Sequence, residues 1–177
     1  PLGVVLPKDT NDVLSLMEYS QKNSVPLLAR GGGSSQCGQT VGESVVLDYS
    51  KHQNKILELN VEEKYVWVQP GVVLDHLNDY LKPHGLWFPV DVSTSSRATI
   101  GGMSANNSCG SRSLYYGNMV HNVLAIEAIL DDGSIFQFDQ INKNYLATKN
   151  NQDRLYKIID KFICLLYTSD AADECDS

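Results

Sequence analysis

A glycine-rich stretch at residues 30–38, RGGGSSQCG, directly follows a short apolar run at residues 26–29. Three consecutive glycines let successive backbone N–H groups converge on one point without Cβ clashes, and two serines add hydroxyl donors. These donors suit a phosphate oxygen, so the stretch is a candidate binding loop for a dinucleotide pyrophosphate. A tight turn after a strand, without any ligand, is the alternative.

Two common nucleotide-binding motifs do not fit this stretch. A P-loop needs Lys followed by Ser or Thr after its glycines, and no such pair follows here. The G-x-G-x-x-G fingerprint opens a helix, whereas no helical periodicity begins after Gly33. A binding loop at this place therefore belongs to another kind of fold.

The residues around the loop alternate between strand and helix patterns. Apolar runs at residues 4–6, 26–29 and 45–47 predict three strands. Thr10 is the predicted N-cap of a helix that ends around Asn23, with Val13, Leu14 and Met17 on one face. We therefore expect the order strand, helix, strand, glycine-rich loop, strand in residues 1–50.

Residues 51–164 continue with both kinds of element. Two strands are predicted at 56–59 and 65–68, and Val73, Leu74, Leu77 and Leu81 mark a helix that stops before Pro83. Residues 87–117 are rich in Gly, Ser, Asn and Thr and are predicted to form a long loop. Asp132-Gly133 predicts a two-residue primed turn between strands at 123–130 and 134–138, and a last amphipathic helix contains Leu155, Ile158, Ile159 and Phe162.

A second candidate site lies within the predicted long loop. Residues 99–103, TIGGM, precede residues 105–110, ANNSCG, and no charged residue occurs between Arg97 and Arg112. Small side chains and amides of this kind can lie against a flat polar ring and hydrogen-bond to its edge. An ordinary Asn/Gly/Ser loop is the alternative.

The composition excludes several classes of protein. The chain has 177 residues, a net charge of −7 and 42% apolar residues, enough for one domain or two small ones. No apolar run approaches the roughly 20 residues that span a bilayer, and an acidic balance is not typical of nucleic-acid binders. The four cysteines are Cys37, Cys109, Cys164 and Cys175. Because they have no C-x-x-C spacing, neither a zinc site nor a disulfide framework is indicated. Reduced thiols in a cytoplasmic protein are therefore expected.

Both ends of the sequence are interpreted as boundaries of a fragment. Pro1 is not an initiator Met, and residues 165–177 lack apolar periodicity and are interpreted as a non-native tail. The predicted domain therefore covers residues 1–164.

Six segments, in this order and at these spacings, resemble one family of flavin domains. They are residues 30–35 (RGGGSS), 45–48 (VVLD), 68–72 (VQPGV), 89–91 (PVD), 99–103 (TIGGM) and 131–133 (DDG). This series, within residues 4–138, resembles the FAD-binding domain of the p-cresol methylhydroxylase and vanillyl-alcohol oxidase superfamily. Its branch of D-lactate, glycolate and D-2-hydroxyglutarate dehydrogenases is the most similar.

The resemblance implies an α+β fold in which FAD lies extended between two subdomains, at about residues 1–50 and 51–164. It implies that main-chain N–H groups of one loop bind the pyrophosphate and that a second stretch lines the flavin. Covalent members carry a His at the place of Ser34, so non-covalent FAD is expected. The implied cofactor-binding residues are Gly31, Gly32, Gly33, Ser34 and Ser35, closed by Gly38 and Gln39, and on the flavin side Asp91, Thr99, Gly101 and Gly102 with Asn106, Cys109 and Gly110 nearby.

The implied activity is oxidation of a D-2-hydroxy acid by hydride transfer to FAD, followed by electron transfer to an acceptor. Residues 106–113, NNSCGSRS, resemble long members with a C-terminal iron–sulfur region, and a peripheral membrane location is an alternative to a purely cytoplasmic one. A flavoprotein reductase of the UDP-N-acetylenolpyruvylglucosamine type and a non-catalytic nucleotide-binding module are the other functions considered.

No residue of this chain matches a catalytic base, a substrate-clamping Arg or a metal ligand of that branch. The four histidines lie in polar or helical contexts, and His121, which follows Tyr116-Gly117, is the first to test for catalysis; the others are His52, His76 and His84. The catalytic residues therefore stay unassigned, and no metal site is expected.

Overall fold

A computed structural model describes residues 1–139. The predicted last helix and the predicted non-native tail lie outside the described residues. The chain divides into the units Pro1–Gln137 and Phe138–Ser177, and the predicted subdomain boundary near residue 50 stays a prediction. The strands are Gly3–Val5 (β1), Leu27–Arg30 (β2), Val45–Asp48 (β3), Ile56–Asn60 (β4), Tyr65–Val68 (β5), Ile126–Ile129 (β6) and Ile135–Phe138 (β7), and the helices are Thr10–Asn23 (α1), Leu74–Leu81 (α2), Ile100–Ala105 (α3), Ser113–Tyr116 (α4) and Met119–Asn122 (α5).

The first three strands form a parallel sheet in the order β1-β3-β2. Helix α1 connects β1 to β2, as a crossover between parallel strands requires. The central strand β3 carries the buried side chains, since Val46 and Leu47 are each 3% exposed. Arg30 pairs with Asp48 at the carboxyl ends of β2 and β3, so the glycine-rich loop leaves this edge of the sheet, where ligands bind in many parallel sheets.

The start of α1 differs from the prediction by one residue. Thr10 is the first helical residue, and the N-cap is Asp9, whose carboxylate accepts the Asp12 N–H at 3.1 Å. Asp9 has the extended backbone of an N-cap (φ −149°, ψ −178°). The prediction of Thr10 as the cap is therefore wrong, because the carboxylate one residue earlier reaches a free N–H of the first turn.

Helix α2 contributes side chains to two apolar clusters. Leu77 and Leu81 pack with Val72 towards side chains of the antiparallel pair β4–β5. Leu74 packs in the other cluster, with Val90, Ala98, Met103 and Met119. Beyond Leu81 the chain makes one 3₁₀ turn, Lys82–His84, and Gly85 ends it at φ 69°. The predicted α2 and its end near Pro83 are confirmed.

The long loop predicted at residues 87–117 contains two short helices, α3 and α4, and α5 follows it. Adjacent glycines at 101 and 102 have low helix propensity and hid α3 from the sequence pattern. The helix forms because Thr99 caps it and Met103, 2% exposed, anchors it in the core. The prediction of a structureless stretch is therefore wrong at these positions.

The turn between β6 and β7 differs from the predicted primed turn. Gly133 has φ 81°, but Asp132 is not among the residues with positive φ, whereas a type I′ turn needs positive φ at both. Leu130 N–H donates to Ser134 O, and Gly133 N–H donates to Leu130 O. The loop therefore has three residues, Asp131 to Gly133, and only its glycine takes the left-handed conformation.

Candidate functional site

The glycine-rich loop presents a row of backbone donors without acceptors. Within residues 1–139, the N–H groups of residues 31–35 make no hydrogen bond. These residues are partly buried, and a buried N–H without an acceptor costs free energy. Consecutive free donors after a strand form a site for an anion. The loop therefore has the donor set that the sequence analysis expects at a pyrophosphate.

Gly31 and Gly32 lack side chains because another segment lies against them. A Cβ on Gly32 would lie 2.9 Å from the Arg97 carbonyl carbon, and one on Gly31 would lie 3.2 Å from the Thr99 Cβ. Both distances are shorter than ordinary van der Waals contact. The first predicted binding loop therefore rests directly on the residues that lead into α3.

Gly33 is required for its backbone conformation. Its φ is 63°, in the left-handed region that residues with a side chain rarely adopt. The Arg30 guanidinium lies beside it, with Cζ 2.8 Å from where a Gly33 Cβ would be. Gly33 therefore supplies the left-handed backbone conformation at this point of the loop.

Two side-chain hydrogen bonds connect the predicted pyrophosphate loop with the predicted flavin side. Gln39 Nε2 donates to Asn106 Oδ1 at 2.9 Å. The Thr94 hydroxyl donates to Ser34 Oγ at 3.5 Å, a long contact. Ser35, Gly38 and the exposed Cys37 complete this loop. The two stretches singled out in the sequence are therefore neighbours in space.

The backbone donors at the start of α3 are already used. Ile100 N–H donates to Val72 O at 2.8 Å, Gly101 N–H to Pro70 O at 2.9 Å, and Gly102 N–H to the Thr99 hydroxyl at 3.3 Å. A Cβ on Gly101 would lie 2.6 Å from Pro70 Cβ. In contrast to residues 31–35, these residues act in the structure as packing and capping groups, and their contact with a cofactor stays a prediction.

Asp91 organises the loop that holds Cys109 and Gly110. Its carboxylate accepts the Ser111 hydroxyl at 2.7 Å and the Arg112 N–H at 3.1 Å. These hydrogen bonds, first that of Ser111, lower the pKa of Asp91 below its usual range. Gly110 has no room for a side chain because the Asp91 main chain lies against it. The Cys109 thiol is free and exposed.

An aromatic cluster beside Asp91 was not identified in the sequence analysis. The Arg112 guanidinium lies 5.1 Å from the centroid of the Trp87 ring, at cation–π distance. Tyr116 makes edge-on contacts with Trp87 at 5.2 Å and with Tyr115 at 4.7 Å. The sequence signal that could have indicated this cluster is the pair Tyr115 and Tyr116 close to Arg112.

His121 has a structural role. Its Nδ1 accepts the Asn118 N–H at 3.3 Å, at the start of α5. Its ring lies against Gly117, whose φ is 76° and which has no room for a Cβ. These contacts account for the His at this position through packing and helix capping, and they do not give it a catalytic role.

Neither a metal site nor a membrane span is found in the part of the chain that the structure describes. Residues 1–139 contain no group of three or more His, Cys, Asp or Glu side chains placed to hold a metal ion. No helix among these residues combines the length and the apolar character that a membrane crossing requires.

The sequence is similar to a known domain family and to curated dehydrogenases. Residues 1–139 match the family described as FAD binding domain. The chain is 41% identical over 145 residues to D-2-hydroxyglutarate dehydrogenase of Haemophilus influenzae, covering 80% of the chain and 14% of that protein. It is 40% identical over 139 residues to the mitochondrial cytochrome-type D-lactate dehydrogenase of Kluyveromyces lactis, covering 76% of the chain and 24% of that protein.

The fold is also that of a solved oxidase. The structure superposes on 6-hydroxy-D-nicotine oxidase of Arthrobacter nicotinovorans with a TM-score of 0.69 at 19% identity, covering 77% of this chain and 29% of that one. This likeness confirms the expected α+β fold of the p-cresol methylhydroxylase type. The chain spans about a seventh of the length of the D-2-hydroxyglutarate dehydrogenase it matches. Because the family match covers all the described residues, the chain belongs to the FAD-binding domain family.

Proposed function

We propose that this chain forms the FAD-binding part of a flavin-dependent oxidoreductase that acts on a D-2-hydroxy acid. The observation that carries the proposal is the row of N–H groups at residues 31–35 without acceptors within residues 1–139. A pyrophosphate offers the oxygen acceptors that these donors lack. The names of the two relatives, dehydrogenases of D-2-hydroxyglutarate and D-lactate, support D-2-hydroxy acids as the substrate class.

The proposed cofactor contacts fall into two groups. The first group binds the pyrophosphate through main-chain N–H groups and closes the loop; it comprises Gly31, Gly32, Gly33, Ser34, Ser35, Gly38 and Gln39. The second group lies on the flavin side and comprises Asp91, Thr99, Gly101, Gly102, Asn106, Cys109 and Gly110. The hydrogen bond between Gln39 and Asn106 supports a single site formed by both groups.

In the proposed reaction, the role of this chain is to hold the cofactor in position. Bound FAD would supply the hydride acceptor for oxidation at the α-carbon of the substrate. The contacts of Gly31 and Gly32 with residues 97–99 fix the pyrophosphate loop against α3. The carboxylate of Asp91 holds the Ser111 hydroxyl and the Arg112 N–H, and so fixes the loop that carries Cys109. Fixed loops of this kind lower the entropy lost when the cofactor is bound.

The proposal includes non-covalent FAD and a reducing compartment. Ser34 stands where covalent members of the superfamily carry a His, and a serine hydroxyl does not form the flavin bond of those members. The free, exposed thiols of Cys37 and Cys109 favour the cytoplasm. An electron acceptor, an iron–sulfur region elsewhere in the protein and a peripheral membrane location complete the proposal, supported by the resemblance alone.

The cofactor is tested on the purified chain. We expect a yellow protein whose FAD is released into the supernatant by heat or acid and is identified by chromatography. A chain that binds NAD but takes up no FAD would refute the cofactor. Flavin retained by the precipitated protein would refute non-covalent binding.

The substrate class is tested on the full-length natural protein that contains this chain. Anaerobic D-lactate, D-2-hydroxyglutarate or glycolate should bleach the flavin absorption, whereas NADPH should not. Bleaching by NADPH alone would indicate a reductase. Stable FAD without reduction by any of these compounds would indicate a non-catalytic module.

A further inference from the structure

One cation lies against the glycine-rich loop. Arg30 is the last residue of β2, and its guanidinium lies alongside Gly33, with Nε 2.7 Å and Cζ 2.8 Å from where a Gly33 Cβ would be. The side chain thus turns back over the residues that follow it and does not extend away from the loop. Its positive charge is held at the residues with the unpaired N–H groups.

The Arg30 guanidinium has no partner among residues 1–139. The ion pairs in this part of the chain are Lys22 with Glu18 and Arg112 with Asp91. The carboxylate of Asp48, which is paired in register with Arg30, accepts the N–H and the hydroxyl of Ser50 at 2.9 and 2.6 Å. Arg30 as a residue is partly buried. A cation that loses hydration without gaining acceptors costs free energy, and an anion bound in the loop would compensate for that cost.

We propose that the Arg30 guanidinium is a direct ligand of the FAD pyrophosphate, acting beside the main-chain N–H groups of residues 31–35. This inference rests on the proposed FAD site and adds a charged side chain to a set of neutral donors. A guanidinium forms paired, charge-assisted hydrogen bonds with phosphate oxygens. Arg30 therefore favours a ligand with phosphate charges over an uncharged flavin.

The experiment measures FAD affinity of the chain by titrating the flavin-free protein and following flavin fluorescence, at low and at high NaCl. The variants are Arg30→Met, Arg30→Lys and, as a charge-matched control on an exposed loop, Lys51→Gln. We expect Arg30→Met to weaken FAD binding roughly 10- to 100-fold, the range for a hydrogen bond to a charged group. Arg30→Lys should recover part of the loss, and Lys51→Gln should bind as the wild type.

The salt dependence separates a ligand from a structural residue. Added NaCl should weaken FAD binding by the wild type more than by Arg30→Met, because a charge–charge contact is screened. Circular dichroism and thermal unfolding of each flavin-free variant show whether the fold is retained. If Arg30→Met does not fold, the comparison of wild type with Arg30→Lys carries the test.

Three outcomes would contradict the proposals, one of them the proposed function and two of them the role of Arg30. No FAD binding by the wild type would refute the proposed function. FAD binding by the wild type with equal affinity in Arg30→Met would refute the role of Arg30 alone. Weaker binding with unchanged salt dependence would also refute it, since Arg30 would then act only by shaping the loop.

Discussion

At the scale of single residues, glycines in the two predicted loops are explained by close approach of another segment. Gly32 lies against the Arg97 carbonyl, and Gly110 lies against the Asp91 main chain. From the sequence, the three consecutive glycines were expected to let backbone N–H groups converge without Cβ clashes. The structure adds that the missing side chains of Gly31 and Gly32 make room for protein.

Gly32→Ala is expected to destabilise the chain. The added Cβ would meet the Arg97 carbonyl group, with its carbon 2.9 Å away, and overpacking against backbone typically costs about 1–3 kcal/mol. Urea unfolding should show this loss of free energy of unfolding, and FAD binding should weaken with it.

The control for Gly32 is Gly3→Ala. No atom lies within 4 Å of a Cβ on Gly3, and its φ is not positive. The free energy of unfolding should therefore be unchanged or slightly raised. Equal unfolding midpoints for Gly32→Ala and wild type would contradict the close approach.

Asp91→Asn is expected to lower the melting temperature at neutral pH. The Ser111 hydroxyl and the Arg112 N–H lower the pKa of Asp91 in the folded state, so its stabilisation is present above the ordinary Asp pKa of about 4. That stabilisation is lost as the pH falls through the lower pKa of the folded state. The melting temperatures of variant and wild type should therefore converge in acid.

Asp79→Asn is the control for this pH series. Asp79 is an exposed residue of α2, and its carboxylate accepts no hydrogen bond within residues 1–139. Its replacement should leave the melting temperature close to that of the wild type at each pH. A difference between Asp91→Asn and wild type that does not shrink as the pH falls below the ordinary Asp pKa, or that is absent at neutral pH, would argue against the role of the Asp91 carboxylate.

At the scale of elements, the start of α1 gives a matched pair of substitutions. Asp9→Ala removes the carboxylate that accepts the Asp12 N–H, and loss of an N-cap typically costs about 0.5–2 kcal/mol. Thr10→Ala changes the neighbouring residue, which makes no side-chain hydrogen bond in the described part of the chain. Chemical unfolding should show a loss for Asp9→Ala and a change near zero for Thr10→Ala. The reverse order would restore Thr10 as the cap.

The elements show what the sequence could and could not predict. The β1–α1–β2–β3 order was predictable because short apolar runs and a capped amphipathic segment are local signals. Helix α3 was not, because Gly101 and Gly102 oppose helix formation locally. Its stability comes from the burial of Met103 and the contact of Gly101 with Pro70, and a single sequence does not display contacts between distant residues.

The same limit applies to the candidate site. Residues 31–35 were recognisable because free N–H groups follow from a glycine-rich loop after a strand. The cluster of Trp87, Arg112 and Tyr116 was missed because Trp87 is far from the others in sequence and meets them only after folding. The hydrogen bonds that hold Asp91 to Ser111 and Arg112 were hidden for the same reason.

At the scale of the whole molecule, the chain loaded with FAD should accept electrons without oxidising a hydroxy acid. The chain covers 14% of the D-2-hydroxyglutarate dehydrogenase that it matches. Hydride transfer requires the α-carbon to be held in a near-attack position, which contributes several kcal/mol of barrier lowering.

Absorption spectra under anaerobic conditions provide the measurement. Dithionite should bleach the flavin, whereas D-lactate, D-2-hydroxyglutarate and glycolate should leave the oxidised spectrum unchanged. Dithionite serves as the positive control for a reducible flavin. Rapid bleaching by any of the three acids would place a complete active site within this chain.

The contacts that residues 97–99 make with Gly31 and Gly32 have a consequence for folding during synthesis on the ribosome. Synthesis proceeds at about 5–20 residues per second, so the glycine-rich loop leaves the ribosome seconds before the segment that braces it. Until that segment arrives, Gly31 and Gly32 lack the contacts with residues 97–99 that hold them in place. A nascent chain stalled before Arg97 should leave FAD in solution, and one released after residue 139 should capture it.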